Sequence, residues 1–359
     1  MTKAWTYARS GVDIARQKRA HALIGKLIES TFQLREGKVG RVLTPFGHYA
    51  SLLELDEKRA LVLHVDGVGS KVLVAQAMNK FDTVGIDCVA MCANDLICLG
   101  AEPIALIDYL AVQEPNESLV GEIMKGLVKG AETAGVAIVG GETAIIPDII
   151  SGLSEGKGFD LSAMCAGIVE KDKTITGRAM KPGEAVIGLE SSGIHSNGLT
   201  LARKVFFEKA GLKVEDRVEG LERTVGEELL EPTRIYVNEV METIKTNEVH
   251  ALAHITGGAY SKLNRFADYS RAGFEIDELP RPPSIFEVIQ RLGKIPYEDM
   301  YRTFNMGIGF CLVCPDRSAD ALLKRIRTRF KIVAQQIGTT TKKRGVRIKV
   351  PESKEWIIF

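Results

Sequence analysis

Two α/β (α+β) domains in series are what this sequence predicts, and three observations predict them. The chain has 359 residues, more than the roughly 100–200 typical of one domain. Short apolar runs of strand length alternate with longer segments of helical character along its whole length. That alternation breaks once, at the Pro-Gly turn in Met180-Lys181-Pro182-Gly183-Glu184, and then restarts. The expected division is an N-terminal domain over 1–175 and a C-terminal domain over 176–359.

The elements follow in order. Residues 12–34 have helical character with interspersed basic residues. Arg59 to Val65 is a compact apolar run that meets a turn at Asp66-Gly67, so it reads as a strand. A helix is expected over 82–100, ended by Gly100, and a strand over Ile104–Val112. A long helix from Asn116 to Ala134 stops at Gly135, and a strand over Val136–Val139 is closed by Gly140-Gly141. Phe159 to Val169 is a further strand. Beyond the Pro-Gly turn come a strand at 185–189, a helix at 199–210 and a helix at 226–245 that carries Pro232. A turn and helix span 250–268, and strands at 304–314 and 344–350 flank a basic helix at 318–330.

Composition excludes several classes. Lys plus Arg number 47 against 46 Asp plus Glu, so the net charge of +1 argues against nucleic-acid binding through bulk charge. The run Lys342-Lys343-Arg344 reads as a solvated strand entrance. No apolar stretch approaches the roughly 20 residues needed to span a bilayer, and Met1 to Trp5 lacks a signal-peptide core. A cytoplasmic protein, with neither membrane nor nucleic acid as partner, is expected. Cys311 and Cys314 form a CxxC, but on a strand the two point to opposite faces and do not converge on one metal.

In the first half, acidic residues recur where strands end. Asp66 opens Asp66-Gly67-Val68-Gly69-Ser70-Lys71. Its glycines let backbone approach a ligand, Lys71 supplies a point charge and Asp66 could hold a cation; a plain turn with a local Asx hydrogen bond is the alternative. Asp87, Met91 and Asp95 share one helix face, with Asn94 beside them. Asp108 lies in an apolar strand, where a charge is costly unless it is paired or metal-bound. Glu142 follows Gly140-Gly141. Such carboxylates suit a triphosphate only through magnesium, which reverses the sign of the site. No Walker A sequence is present, so a P-loop is excluded.

In the second half, Ser191-Ser192-Gly193-Ile194-His195-Ser196-Asn197-Gly198 stands between a strand and a helix. That placement suits a phosphate monoester bound at a helix N-terminus, or simply a helix cap in a flexible loop. His195 is open to three readings: a general acid or base, a phosphate ligand, or an exposed loop residue. His254-Ile255-Thr256-Gly257-Gly258 is a second such loop, and Phe304-Asn305-Met306-Gly307-Ile308-Gly309 could bring Asn305 to the same cleft or could use its glycines for close packing.

In series these segments resemble the aminoimidazole ribonucleotide (AIR) synthetase family, the phosphoribosylformylglycinamidine cyclo-ligases. The matches are Gly11-Val12-Asp13-Ile14, DGVGSK at 66–71, Gly85 to Met91 with Asn94-Asp95, Gly100-Ala101-Glu102-Pro103 and Asp108-Tyr109. GGET at 140–143, SSGIHSNG at 191–198, Glu231 to Tyr236, HITGG at 254–258 and FNMGIG at 304–309 complete the series, which runs from about 7 to 350. The resemblance implies a homodimer whose N-terminal domains pool their strands into a β-barrel, and a C-terminal α/β domain with the substrate-phosphate loop. It implies ATP-driven closure of formylglycinamidine ribonucleotide to aminoimidazole ribonucleotide, with ATP and Mg2+ as cofactors. Asp66, Asp95, Asp108 and Glu142 would hold metal. ATP would be met by these residues and by Gly67, Gly69, Lys71, Asn94, Gly140, Gly141 and Thr143. Ser191, Ser192, His195, Ser196, Asn197, Thr256 and Gly257 would bind the ribonucleotide, with His195 and Lys71 catalytic.

Three positions depart from the family's pattern. Ser70 stands where Thr is common, Ile145-Ile146 where Glu-Met often follows, and Ala259 where a third glycine is usual. Relatives of this architecture are set aside by their own requirements. The first cysteine is Cys88, too late for a selenophosphate synthetase, and the C-terminal Trp356-Ile357-Ile358-Phe359 lacks the cysteine of a hydrogenase maturation protein. The amidotransferase-type purine enzyme is longer and duplicated, and thiamine monophosphate kinase lacks this form of SSGIHSNG. A non-catalytic ATP-binding regulator would have lost carboxylates or loop, and neither is lost.

Overall fold

The structure, a computed structural model, describes residues 14–359. The segment Met1 to Trp5 and the match at Gly11-Val12-Asp13 lie outside the described residues. Helix α1 (Ile14–Glu29) leads into a five-stranded sheet built from β1 (Ser51–Glu54), β2 (Arg59–Gly67), β3 (Glu102–Val112), β4 (Ala137–Ile145) and β5 (Phe159–Glu170). Its order is β1-β2-β5-β3-β4, and it is open. Only β3 and β4 run parallel, which is why the long α4 (Glu117–Ala134) must connect them. Asn116 caps α4 by accepting from the Leu119 N–H, and Gly135 ends it at φ +68, so both ends fall where the sequence signals place them.

Helices α2 (Val72–Met78) and α3 (Val84–Ile97) follow β2. One face of the sheet, with Val62, Leu106, Leu110, Leu161 and Cys165, is buried under α3. Helix α4 lies on α3 with no side chain between them at Gly85, where a Cβ would fall 2.1 Å from the backbone nitrogen of Leu127. The other face is exposed. Val65, Met164 and Ile107 form one row across β2, β5 and β3 on it, with Val65 66% and Ile107 39% accessible.

The second sheet has seven strands in the order β12-β11-β8-β10-β6-β9-β7. These are β6 (Ala185–Glu190), β7 (Ala251–His254), β8 (Gly273–Ile276), β9 (Ile308–Cys314), β10 (Ala334–Thr341), β11 (Val346–Lys349) and β12 (Trp356–Ile358). Its helices are α5 (Leu199–Arg203), α6 (Val225–Leu230), α7 (Val237–Thr246), α8 (Ser284–Gly293), α9 (Tyr297–Thr303) and α10 (Asp316–Phe330).

Four expectations are corrected. The strand expected to close at Gly140-Gly141 runs on to Ile145, because β3 pairs with it through the glycines after a bulge at Leu106/Ile107. The single helix at 226–245 is two, α6 and α7, since Pro232 has no N–H and the chain turns extended at Glu231. The turn and helix at 250–268 is instead the strand β7 followed by a 3-10 segment, Ala259–Asp268. The helix at 199–210 loosens to a π turn over Lys204–Lys209. Cys311 and Cys314 lie on β9, free and buried as core residues.

Candidate active site

The carboxylates are placed by register. Asp66 on β2 and Asp108 on β3 both stand opposite Ala163 of β5. They therefore share one row and the helix-covered face, flanking a single strand. Gly141 is the neighbour of Asp108 on β4, and a Cβ there would lie 2.3 Å from Asp108 Oδ1. The glycine of GGET thus makes room for that carboxylate. Burial raises the pKa of Asp108. The Gly67 N–H donates to Asp66 Oδ1 at 2.8 Å, a bond to the very next residue rather than an Asx turn, and Gly69 takes φ +64. Glu142 pairs in register with Tyr109, in the row that faces away from the helices. It is exposed, and one oxygen accepts from the Thr143 N–H at 2.8 Å. Gly140 is open, with nothing near its missing Cβ.

Asp95 is differently engaged. His254 Nδ1 lies 2.8 Å from its Oδ1, and His64 Nε2 lies 3.4 Å from its Oδ2. Asn94 assigns the proton. Its Oδ1 accepts from the Tyr236 N–H at 2.9 Å and its Nδ2 donates to Arg234 O at 2.9 Å, which fixes the amide's orientation. The second hydrogen on Nδ2 then faces His254 Nε2 at 3.3 Å, so Nε2 accepts and Nδ1–H donates to Asp95. Burial alone would raise the Asp95 pKa, but His64, His254 and Lys262 hold it well below the usual carboxylate range. Lys262, from the 3-10 segment, is pushed down to about 8 by burial and by Arg265, against the pull of Asp95 and Asp66.

The shared face of α3 is therefore a joint to the second domain. Besides Asn94 and Asp95, Asp87 Oδ1 accepts from Lys71 Nζ at 2.8 Å and from the Thr233 N–H at 2.7 Å. Met91 Sδ lies 4.0 Å from Asn197 Nδ2, and Ser70 Oγ lies 2.9 Å from Thr200 Oγ1. Lys71 is fully buried, its ammonium also reaching Glu231 O at 2.5 Å. Two of its three hydrogens are thus spoken for inside the protein.

The loop at Ser191–Gly198 is clasped from several sides. His195 (φ +67) and Gly198 (φ +85) take left-handed backbone. Asn305 holds the loop: Oδ1 accepts from Ser191 Oγ at 3.0 Å, and Nδ2 donates to the Gly193 and Ile194 carbonyls. Ser192 Oγ donates to Pro232 O at 2.5 Å. His195 Nε2 accepts from the Ser192 N–H at 3.2 Å, so the proton sits on Nδ1, a buried donor without a protein partner. Burial, with His254, Lys71 and Arg234 nearby, lowers the His195 pKa well below the ordinary value, so the ring is neutral. Gly309 leaves it space: a Cβ there would lie 2.6 Å from His195 Cε1. Thr256 is buried, and a Cβ on Gly257 would lie 2.7 Å from Asn197 Oδ1, so the HITGG and SSGIHSNG loops abut. Ala259 takes φ +46, left-handed backbone at the position where glycine is usual.

The structure thus puts Asp66 and Asp108 in one row on either side of β5, and joins Asp95 to His254 and the loop at 191–198 to α3, but keeps Glu142 on the other sheet face. Among the described residues, no group of three or more His, Cys, Asp or Glu stands close enough to hold a metal ion. As a four-carboxylate cage the expected set does not fit; Asp66 and Asp108 share one row of the sheet, on either side of β5. A cavity of about 1030 Å3 between Glu219, Arg281, Phe286, Tyr297 and Met306 is lined by none of these four carboxylates. Sequence reasoning missed His64, Lys262 and the clasping role of 231–236. The spacing of Asp87 and Asn94, two turns apart on an apolar helix, carried the signal for that last feature.

Comparisons with known proteins bear on the family and the fold. Residues 47–169 match the family described as AIR synthase related protein, N-terminal domain, and residues 181–351 match its C-terminal domain. A phosphoribosylformylglycinamidine cyclo-ligase of Thermococcus gammatolerans is 50% identical over 96% of this chain and 97% of its own. One from Pyrococcus furiosus is 48% identical over 95% and 96%. A crystal structure of hydrogenase maturation protein HypE in complex with ATP shares the fold, with a TM-score of 0.59 at 19% identity over 86% of each chain.

Proposed function

The chain belongs to the family of AIR synthase related proteins, and on that premise we propose the details of its chemistry. It is an ATP-dependent cyclo-ligase of purine biosynthesis, acting on formylglycinamidine ribonucleotide to give 5-aminoimidazole ribonucleotide, ADP and phosphate. The observation that carries this reading is likeness at about half of all positions over nearly the full length of both chains.

In the proposed reaction the formyl amide oxygen takes the γ-phosphoryl group and ADP leaves. The amidine nitrogen then attacks the same carbon, the C–O bond breaks, and phosphate departs as the ring closes. Little covalent chemistry falls to the protein, which positions the reactants and neutralises charge. ATP, with which a neighbour of this fold was solved, would be held on the carboxylate side. Asp66 and Asp108, sharing a row, would hold magnesium, which screens the phosphates from these carboxylates. The ribonucleotide phosphate would sit at the loop 191–198. The Nδ1–H of His195 would donate to an oxygen of the substrate, since the neutral ring already spends Nε2 on Ser192.

The active form would be a homodimer, its exposed sheet faces packed together toward a barrel. The unpartnered row Val65, Met164 and Ile107 supports this. No helix among the described residues is long and apolar enough to cross a membrane, and a cytoplasmic location is part of the same reading. The test is direct. The purified chain with ATP, magnesium and formylglycinamidine ribonucleotide should yield aminoimidazole, followed by its diazo colour. ADP formed with thiamine monophosphate instead, or no product while ATP still binds, would overturn the reading.

A further inference from the structure

Asp87 has no role in the chemistry above, yet it is fully buried and four donors converge on it. Its Oδ1 accepts from Lys71 Nζ at 2.8 Å, the Thr233 N–H at 2.7 Å and Thr233 Oγ1 at 2.6 Å, with Ser196 Oγ 3.1 Å away, while its Oδ2 is buried without a partner. Ser196 Oγ and Thr233 Oγ1 are also 3.0 Å apart. The donors come from three places: the turn after β2, the segment after Pro232, and the loop 191–198. A buried carboxylate is costly without a counter-charge, and Lys71, itself fully buried, supplies it.

We propose that Asp87 is a positioning residue that seats the substrate-phosphate loop through Ser196 and Thr233, with Lys71 as its counter-ion rather than a ligand of ATP. Hydroxyl bookkeeping supports this. Thr233 gives its one hydrogen to Asp87 at the shorter distance, and Ser196 gives its own to Asp87 or to Thr233. Ser196 therefore has no hydrogen left for a phosphate, and its work is to hold the loop. The loop needs holding, because left-handed backbone at His195 favours departure from this conformation when nothing restrains it. The inference rests on reading 191–198 as the phosphate loop.

Steady-state kinetics on the full chain test it, with both substrates varied. Asp87→Ala should raise KM for formylglycinamidine ribonucleotide by about tenfold or more and move KM for ATP by less than about twofold. Thr233→Ala should raise the ribonucleotide KM, and Thr233→Ser should restore it. The pair Lys71→Met with Asp87→Asn keeps the acceptor without the charges, and should recover much of what Asp87→Asn alone loses. Parallel rises in both KM values, an unchanged ribonucleotide KM, or a raised ATP KM in the charge-free pair would overturn the proposal. Should Asp87→Ala not fold, the Thr233→Ala and Thr233→Ser comparison decides alone. A parent chain that forms no product sinks the cyclisation reading, and this inference with it; a parent that turns over while these variants keep its constants sinks only the inference.

Discussion

Replacing Gly85 by alanine adds one methyl group where α3 and α4 touch backbone to backbone. The new Cβ would lie 2.1 Å from Leu127 N, 2.5 Å from Gly126 C and 2.6 Å from Ile123 O. None of these atoms can rotate away, so the helices must part by roughly an ångström before contact becomes ordinary. Overpacking a core by a methylene costs about 1–3 kcal/mol, and unyielding backbone puts this case at the upper end, about 3 kcal/mol. For a domain of this size that lowers the melting temperature by about 6–12 °C. Because α3 also carries Asp87, Asn94 and Asp95, the shift should reach the joint and cut kcat/KM as well. Thermal unfolding by circular dichroism, paired with the product assay, reads both. A variant that melts within about 1 °C of the parent, with normal kinetics, would refute the close helix contact and the placement of α3.

Two further outcomes are expected. His48 is buried among the ring edges of Tyr49, Phe266 and Tyr269, with no well-formed hydrogen bond on either ring nitrogen and only a weak backbone contact at Thr176. Burial and then Arg265 push its pKa down to about 4, against smaller pulls from the Thr176 backbone and Asp95. The unfolded chain binds more protons between pH 6.5 and 4, so this stability is present above pH 6.5 and lost as pH falls toward 4, about 3 kcal/mol in all. His48→Phe should remove that slope in urea titrations at pH 7 and pH 4, and equal slopes would contradict neutral burial. Val65→Glu, on the exposed row of the first sheet, should shift sedimentation from dimer to monomer while leaving the monomer folded; a persisting dimer would place the interface elsewhere.

Local signals were legible and long-range ones were not. The cap at Asn116 and the stop at Gly135 each have a cause within a few residues, whereas β2 runs through the expected turn at Asp66-Gly67 because β5 pairs with both. Gly140-Gly141 reads as a stop by the same local logic, but pairing with β3 carries the strand through. Strand β10, with the polar run Ala334 to Thr341, shows no apolar alternation and forms because β6 and β8 flank it. At the site, the residue types were legible and their partners were not. Asp95 reads as a metal ligand until His254, 159 positions away in the chain, is found on its oxygen. Lys71 reads as a phosphate contact, and nothing near it in the chain foretells that Asp87 and Glu231 hold its ammonium. Nothing in the sequence near Asp66 or Asp108 announces that one strand alone separates them, since that strand arrives last, as β5.

The joint between α3 and the segment 231–236 bears on how this chain can be recombined. Thr233, Arg234 and Tyr236 meet Asp87 and Asn94 through main-chain groups as well as side chains. A hybrid gene that took one half from this chain and the other from a distant relative would mismatch that seam even if both halves were sound. Exchanging the helix and the six-residue segment together as one cassette should preserve it, so inheritance of the two is tied although some 130 residues of sequence lie between them.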